Sequence, residues 1–212
     1  MNKIEALKKL ESDIHADKTL PLKEANLVFG EGNPDCDVMF IGEAPGARED
    51  ELGRPFVGRA GQLLDKLISM VGWKREDVYI TNIVKRRPPE NRDPSPEEIE
   101  AYKPYLSRQI EIIKPKIIST LGRFSMNYFM PLAKITRDQG KVFRLRGKIL
   151  IVPLLHPAAA LRGTTMMNSL TEAFKRLPPV LKKYDSLVAR EKESVALRED
   201  ERKSPLSQEL LF

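Results

Sequence analysis

Four short, continuous apolar runs restrict what this chain can fold into: residues 38–41 (VMFI), 78–81 (VYIT), 117–121 (IISTL) and 149–152 (ILIV). None alternates apolar with polar, so each reads as a strand buried on both faces, the pattern of a parallel sheet. Helical patterns lie between the first three. Leu63, Leu64, Leu67, Ile68 and Val71 form a stripe that Gly72 can terminate. Ser95-Pro96-Glu97-Glu98 is a capping box with proline at the first helical position, and it opens a helix running to about Ile113. Further helices are expected over about 123–130 and 169–177, and a hairpin over 135–145. This alternation predicts an α/β fold: a three-layer α/β/α arrangement around a central, mostly parallel four-stranded sheet.

The flanks differ from this body. Residues 2–18 read as an amphipathic helix whose stripe of Ile4, Leu7, Leu10 and Ile14 packs on the domain. The expected organisation is an N-terminal helical segment over 1–27, a main domain over 28–179 and a charged extension over 180–212, partly helical or disordered. Pro178-Pro179 breaks the helical pattern, and the extension is nearly balanced in sign, so the chain's net charge of +6 sits on the main domain. That charge is compatible with a polyanionic partner without requiring one. The single cysteine, Cys36, excludes an intramolecular disulfide or a cysteine-ligated cluster within one chain. Two histidines, His15 and His156, are too few for the usual zinc site. No run of about 18 apolar residues is present to span a membrane, and a cytoplasmic protein is expected.

The residues able to do chemistry converge. Gly42-Glu43 follows the first strand, Asn82 closes the second and His156 comes just after the fourth. In an open parallel sheet these positions share the carboxyl edge, where ligands bind. GEAPGARED (42–50) is a loop whose glycines let backbone approach a ligand. In GRPFVGRAG (53–61), Phe56 stands between glycines, either as core or as a face on which a base stacks. In TNIVKRRPPENRDP (81–94), Asn82 can donate and accept at once, as a nucleobase edge demands. Lys85, Arg86, Arg87 and Arg92 alternate with prolines there, either as a solvated loop or as phosphate contacts. LLHPAAALRG (154–163) fixes His156 beside a proline.

With these stretches, and with GEGNP (30–34) and EEIEAYKPYLSRQI (97–110), the chain resembles the family 4 uracil-DNA glycosylases over about residues 28–177. The resemblance implies a DNA repair enzyme that flips uracil out of DNA and hydrolyses its glycosidic bond. It implies catalytic roles for Glu43, Asn82 and His156, with Glu43 acting on water and His156 on the departing base. Gly42, Gly46, Phe56, Asn82 and His156 would bind the base. Arg59, Lys85, Arg87, Arg92, Leu161 and Arg162 would contact DNA, with Leu161 filling the gap in the stack. No metal is expected. The cysteines that hold a [4Fe–4S] cluster in this family fall on His15, Lys18, Arg86 and Tyr102, so no cofactor is expected. Packing of Tyr102, or contacts of Arg86 with carboxylates, would tie the N-terminal segment in its place. One relative traps uracil covalently through a histidine on an inserted loop. Residues 85–94 carry neither insert nor histidine, which implies turnover by water. The expected partner is uracil-containing DNA, bound by a monomer, near the nucleoid in a prokaryote. The terminal SQELLF faintly resembles a sliding-clamp peptide, but it is short and lacks the paired aromatics, so a frayed terminus explains it better. The alternatives are a glycosylase for other deaminated or mismatched bases, or a DNA-binding homologue with a decayed site.

Overall fold

A computed structural model describes residues 2–145 and 148–189. The chain opens with α1 (Lys3–Ala16), capped reciprocally: the Asn2 side chain accepts from the Glu5 amide, and the Glu5 carboxylate accepts from the Asn2 amide. Leu7, Leu10 and Ile14 are its buried stripe, and α1 packs against α4 (Pro96–Ile113). Ser95 and Glu98 cap α4 in the same reciprocal way.

The four apolar runs become the parallel core of the sheet: β2 (Val38–Gly42), β3 (Tyr79–Asn82), β4 (Ile117–Leu121) and β6 (Leu150–Leu154). Two-residue antiparallel strands, β1 (Glu31–Gly32) and β5 (Phe143–Arg144), flank them, giving the order β1-β3-β2-β4-β6-β5. The hairpin expected over 135–145 is met only in part: Ile135–Asp138 form a single helical turn, α6, and the strand that follows, β5, pairs with β6, outside that range. β6 runs two residues further than the apolar run, through Pro153. The Pro153 carbonyl accepts from the Gly140 amide, so its nitrogen points to the side where β5, which pairs no further than Ile151, has ended; the missing N–H breaks no ladder bond.

Both faces of the sheet are covered. On one lie α3 (Arg59–Met70), α8 (Thr164–Lys175) and α9 (Leu177–Lys182), packed on Phe40, Ile80 and Val152. On the other, α1 and α4 close over Met39, Ile41 and Ile118. α9 starts at Leu177 and carries Pro178-Pro179 in its first turn, where a proline's missing N–H costs nothing. From β2 the chain moves out to β3 on one side, and the connection leaving β3 crosses back past β2 to β4 on the other. The crevice this reversal opens lies at the carboxyl end of β2, beside Gly42. Among the described residues no helix is long and apolar enough to cross a membrane. Most of the charged extension, including SQELLF, lies outside the described residues.

Candidate active site

The crevice holds a cavity of about 430 Å³ whose lining includes Glu43, Gly46, Phe56, Asn82, Arg92, His156 and Arg162. Four side chains from four separate segments, a carboxylate, a phenyl ring, an amide and an imidazole, thus face one space.

Phe56 owes its place to its backbone. Its φ of 50° lies in the left-handed region that side chains rarely adopt. The surrounding contacts enforce it. Arg75 Nη2 donates to the Pro55 carbonyl at 2.6 Å, while Glu49 Oε1 accepts from the amides of Val57 (2.9 Å) and Gly58 (2.7 Å). Arg75 is in turn held by Glu31 and Asp65. Gly61 lies directly under the Phe56 carbonyl, where a methyl would collide. Gly42 plays the matching part beneath the ring: a Cβ there would overlap both the Phe56 ring and Asn82 Oδ1. Gly42 itself is not among the residues lining the cavity. Its contribution is to let the ring and the amide come together.

Asn82 ends β3, opposite Gly42 in the ladder. Its Oδ1 is buried and has no hydrogen-bond partner. A buried acceptor left unpaired in the protein costs free energy that a ligand's donor can recover. His156 caps α7 (Pro157–Ala160): its Nδ1 accepts from the Ala158 amide at 3.1 Å. That places the ring proton on Nε2, leaving a neutral imidazole with one free donor. Burial holds its pKa down to about 4, against a small opposing pull from Glu49. The ring lies 5.7 Å from that of Phe56, tilted by 32°. Burial, reinforced by the nearby charge of Asp93, pushes Glu43 up to about 7, with Arg123 pulling the other way.

Of the DNA-contact candidates, Arg59, Arg92, Leu161 and Arg162 are exposed, and Arg87 is partly so. Arg92 is paired with Glu98, and Arg87 donates to Asn91. Lys85 is the correction. It is fully buried, with its Nζ bonded to Thr81 Oγ1, the Asn82 carbonyl and Gln109 Oε1, so it reaches no phosphate. A lysine within a run of arginines reads as solvated, but the turn after β3 folds it inward. Residues missed in the sequence include Asn91, which lines the cavity, and the Asp93–Arg123 ion pair, which tunes Glu43. The signal of Asn91 and Asp93 was confined to a charged, proline-rich loop, and Arg123 was one more cation at the start of the helix after β4.

The cluster positions do not form a metal site. The Arg86 guanidinium donates to the carbonyls of Ala25 and Lys23, and the Tyr102 hydroxyl donates to the Pro21 carbonyl at 2.9 Å. The anticipated Arg86 partners were carboxylates; they are backbone oxygens instead. His15 and Lys18 are exposed. The single thiol, Cys36, is buried at the opposite, amino edge of the sheet, where burial pushes it up to about 12. Guanidinium, phenol and ammonium are not ligands for iron–sulfur clusters, so the donor set does not fit one.

Residues 29–178 match the uracil DNA glycosylase superfamily. A type-4 uracil-DNA glycosylase of Sulfurisphaera tokodaii is 45% identical over 185 residues, covering 82% of this chain and 84% of the relative. One from Saccharolobus solfataricus is 50% identical over 165 residues, covering 74% and 76%. One from Archaeoglobus fulgidus is 42% identical over 173 residues, covering 78% and 84%. With residues 29–178 matched by the family and relatives of 42–50% identity covering most of both chains, the chain belongs to the uracil DNA glycosylase superfamily.

Proposed function

We propose that this protein removes uracil from DNA by hydrolysing the N-glycosidic bond, leaving an abasic site. The observation that carries this is the shared cavity of Glu43, Phe56, Asn82 and His156, in a chain 42–50% identical to type-4 uracil-DNA glycosylases over most of its length.

In the proposed mechanism uracil leaves the base stack and enters the cavity. Phe56 stacks on its ring. Asn82 Oδ1 accepts from uracil N3–H while the amide nitrogen donates to O4. Cytosine presents a donor at the second position and an acceptor at the first, and is rejected on both counts. As the bond stretches, negative charge grows on uracil O2, and His156 Nε2–H is a donor already aimed and already neutral. The Glu43 carboxylate favours the cationic sugar and orients the attacking water. Glu49 also lines the cavity, but its Oε1 is held by two backbone amides, which supports Glu43 over Glu49 in this role. Gly46 lines the cavity, and exclusion of the thymine methyl is assigned to its loop. Leu161, 41% exposed beside the cavity residue Arg162, fills the gap in the stack. Arg59, Arg87, Arg92 and Arg162 meet backbone phosphates.

The enzyme works without an iron–sulfur cluster, on the strength of its single cysteine and the hydrogen bonds that occupy Arg86 and Tyr102. Purified protein is expected to contain no stoichiometric iron or sulfide and no absorption near 400 nm; either would sink this part of the proposal.

The test of function is incubation with oligonucleotides carrying one uracil, hypoxanthine, xanthine or mismatched base, followed by alkaline cleavage. Strand scission at uracil is expected. Asn82→Ala is expected to lose most of its uracil excision, leaving a residual rate that single-turnover conditions still register, and to retain non-specific DNA binding; His156→Ala is expected to slow the chemical step more than binding. Cleavage at hypoxanthine or xanthine alone would favour the wider-lesion alternative, and no cleavage at any lesion a decayed site.

A further inference from the structure

Lys85 is fully buried outside the cavity wall. No carboxylate is among its hydrogen-bond partners. Its Nζ meets three neutral oxygens: Thr81 Oγ1 at 2.6 Å, the Asn82 carbonyl at 2.8 Å and Gln109 Oε1 at 2.5 Å. The Thr81 hydroxyl is already spent as a donor on the Phe29 carbonyl, and Gln109 Nε2 donates to the same carbonyl. Three acceptors therefore converge on one nitrogen, and an ammonium supplies the three donors that satisfy them. Burial opposes that charge and pulls the lysine well below its ordinary range. A buried cation without a counter-ion is a costly way to hold a turn together.

What it holds is the end of β3. The chain bends after Asn82 while still running beside β2: the amides of Ile83 and Val84 bond to the carbonyls of Gly42 and Glu43, and the Lys85 side chain reaches back to residues 81 and 82. The Asn82 carboxamide is the group at stake, because its Oδ1 has no partner within the protein to orient it.

We infer that Lys85 is a positioning residue for Asn82: its ammonium fixes the Asn82 carbonyl, and so the direction in which the carboxamide enters the cavity. The inference presupposes the uracil chemistry proposed above. It separates Lys85 from Arg87 and Arg92 of the same loop, which are proposed to act on DNA from the surface.

A double-mutant cycle in the full-length protein tests it. Single-turnover excision from uracil DNA is measured for wild type, Lys85→Met, Asn82→Ala and the double variant, alongside affinity for DNA carrying an abasic-site analogue. Lys85→Met is expected to slow excision by about 10- to 100-fold with affinity changed less than about twofold, and to add no further loss on the Asn82→Ala background. Equal losses on both backgrounds, wild-type excision by Lys85→Met, or a loss confined to affinity would each overturn the inference. If Lys85→Met does not melt cooperatively, Thr81→Val takes its place, removing one of the three oxygens while keeping the β-branched shape. A wild-type protein that leaves uracil intact overturns the proposed function as well, whereas failure of the cycle alone leaves that function standing.

Discussion

In the proposed mechanism Glu43 is the residue through which acidity reaches the reaction. Held near 7 by burial and by Asp93, it is only partly ionised at neutral pH, and the ionised form is the one that favours a cationic sugar. Excision is expected to rise with pH through a midpoint near 7. His156, held near 4, stays neutral across that range and does not contribute to the limb. Asp93→Asn removes the like charge and moves the midpoint down; Arg123→Gln removes the attraction and moves it up. Rate against pH for the three proteins checks both directions, and a limb that survives in Glu43→Gln would belong to another group. Stability follows opposite signs at the two residues. The raised Glu43 contributes stability that is full below its unfolded value of 4.5 and is lost as pH rises through about 7. The lowered His156 contributes stability present above 6.5 and lost as pH falls through about 4. At this scale the sequence was readable wherever a residue's place followed from a strand end. Glu43, Asn82 and His156 each flank one, and the cavity gathers them. Lys85 was not readable, because only the turn beyond β3 decides whether its side chain faces water or the interior.

Between residues and the whole lie the elements that carry them. In the loop from α2 (Ala47–Leu52) into α3, Glu49 and Arg75 bond the backbone on either side of Phe56, and Gly42 and Gly61 leave the room that its ring and carbonyl occupy. Gly42→Ala would push Phe56 and Asn82 apart, and the expected outcome is a single-turnover rate lower by on the order of 100-fold. The N-terminal segment is a second such unit, fastened to the 86–102 region by Arg86 and Tyr102. Tyr102→Phe deletes one hydrogen bond, about 1 kcal/mol, and is expected to lower Tm by roughly 2–4 °C. An unchanged melting curve would mean that packing alone holds the segment. The four core strands were legible because burial on both faces leaves an unbroken apolar run. β1 and β5 were not, since two residues carry no pattern and their pairing is decided by partners distant in the chain.

For the whole molecule, the deciding feature is where the chain reverses its direction across the sheet. That reversal puts the cavity beside β2 and brings the arginine-bearing segments after β3 and β6 to the same edge. Removing Arg162 or Arg59 is expected to weaken binding to any DNA sequence and to flatten the dependence of log affinity on log salt by about one unit, as a salt titration of binding would register. The ties of Arg86 to Ala25 and of Tyr102 to Pro21 also have a bearing beyond local stability. Both form from side chains that translation itself delivers, with no insertion machinery and no metal supply. Iron starvation finds no target in a guanidinium or a phenol hydrogen-bonded to a carbonyl. On the cluster-free reading proposed above, a repair enzyme fastened in this way would keep its architecture where iron is scarce.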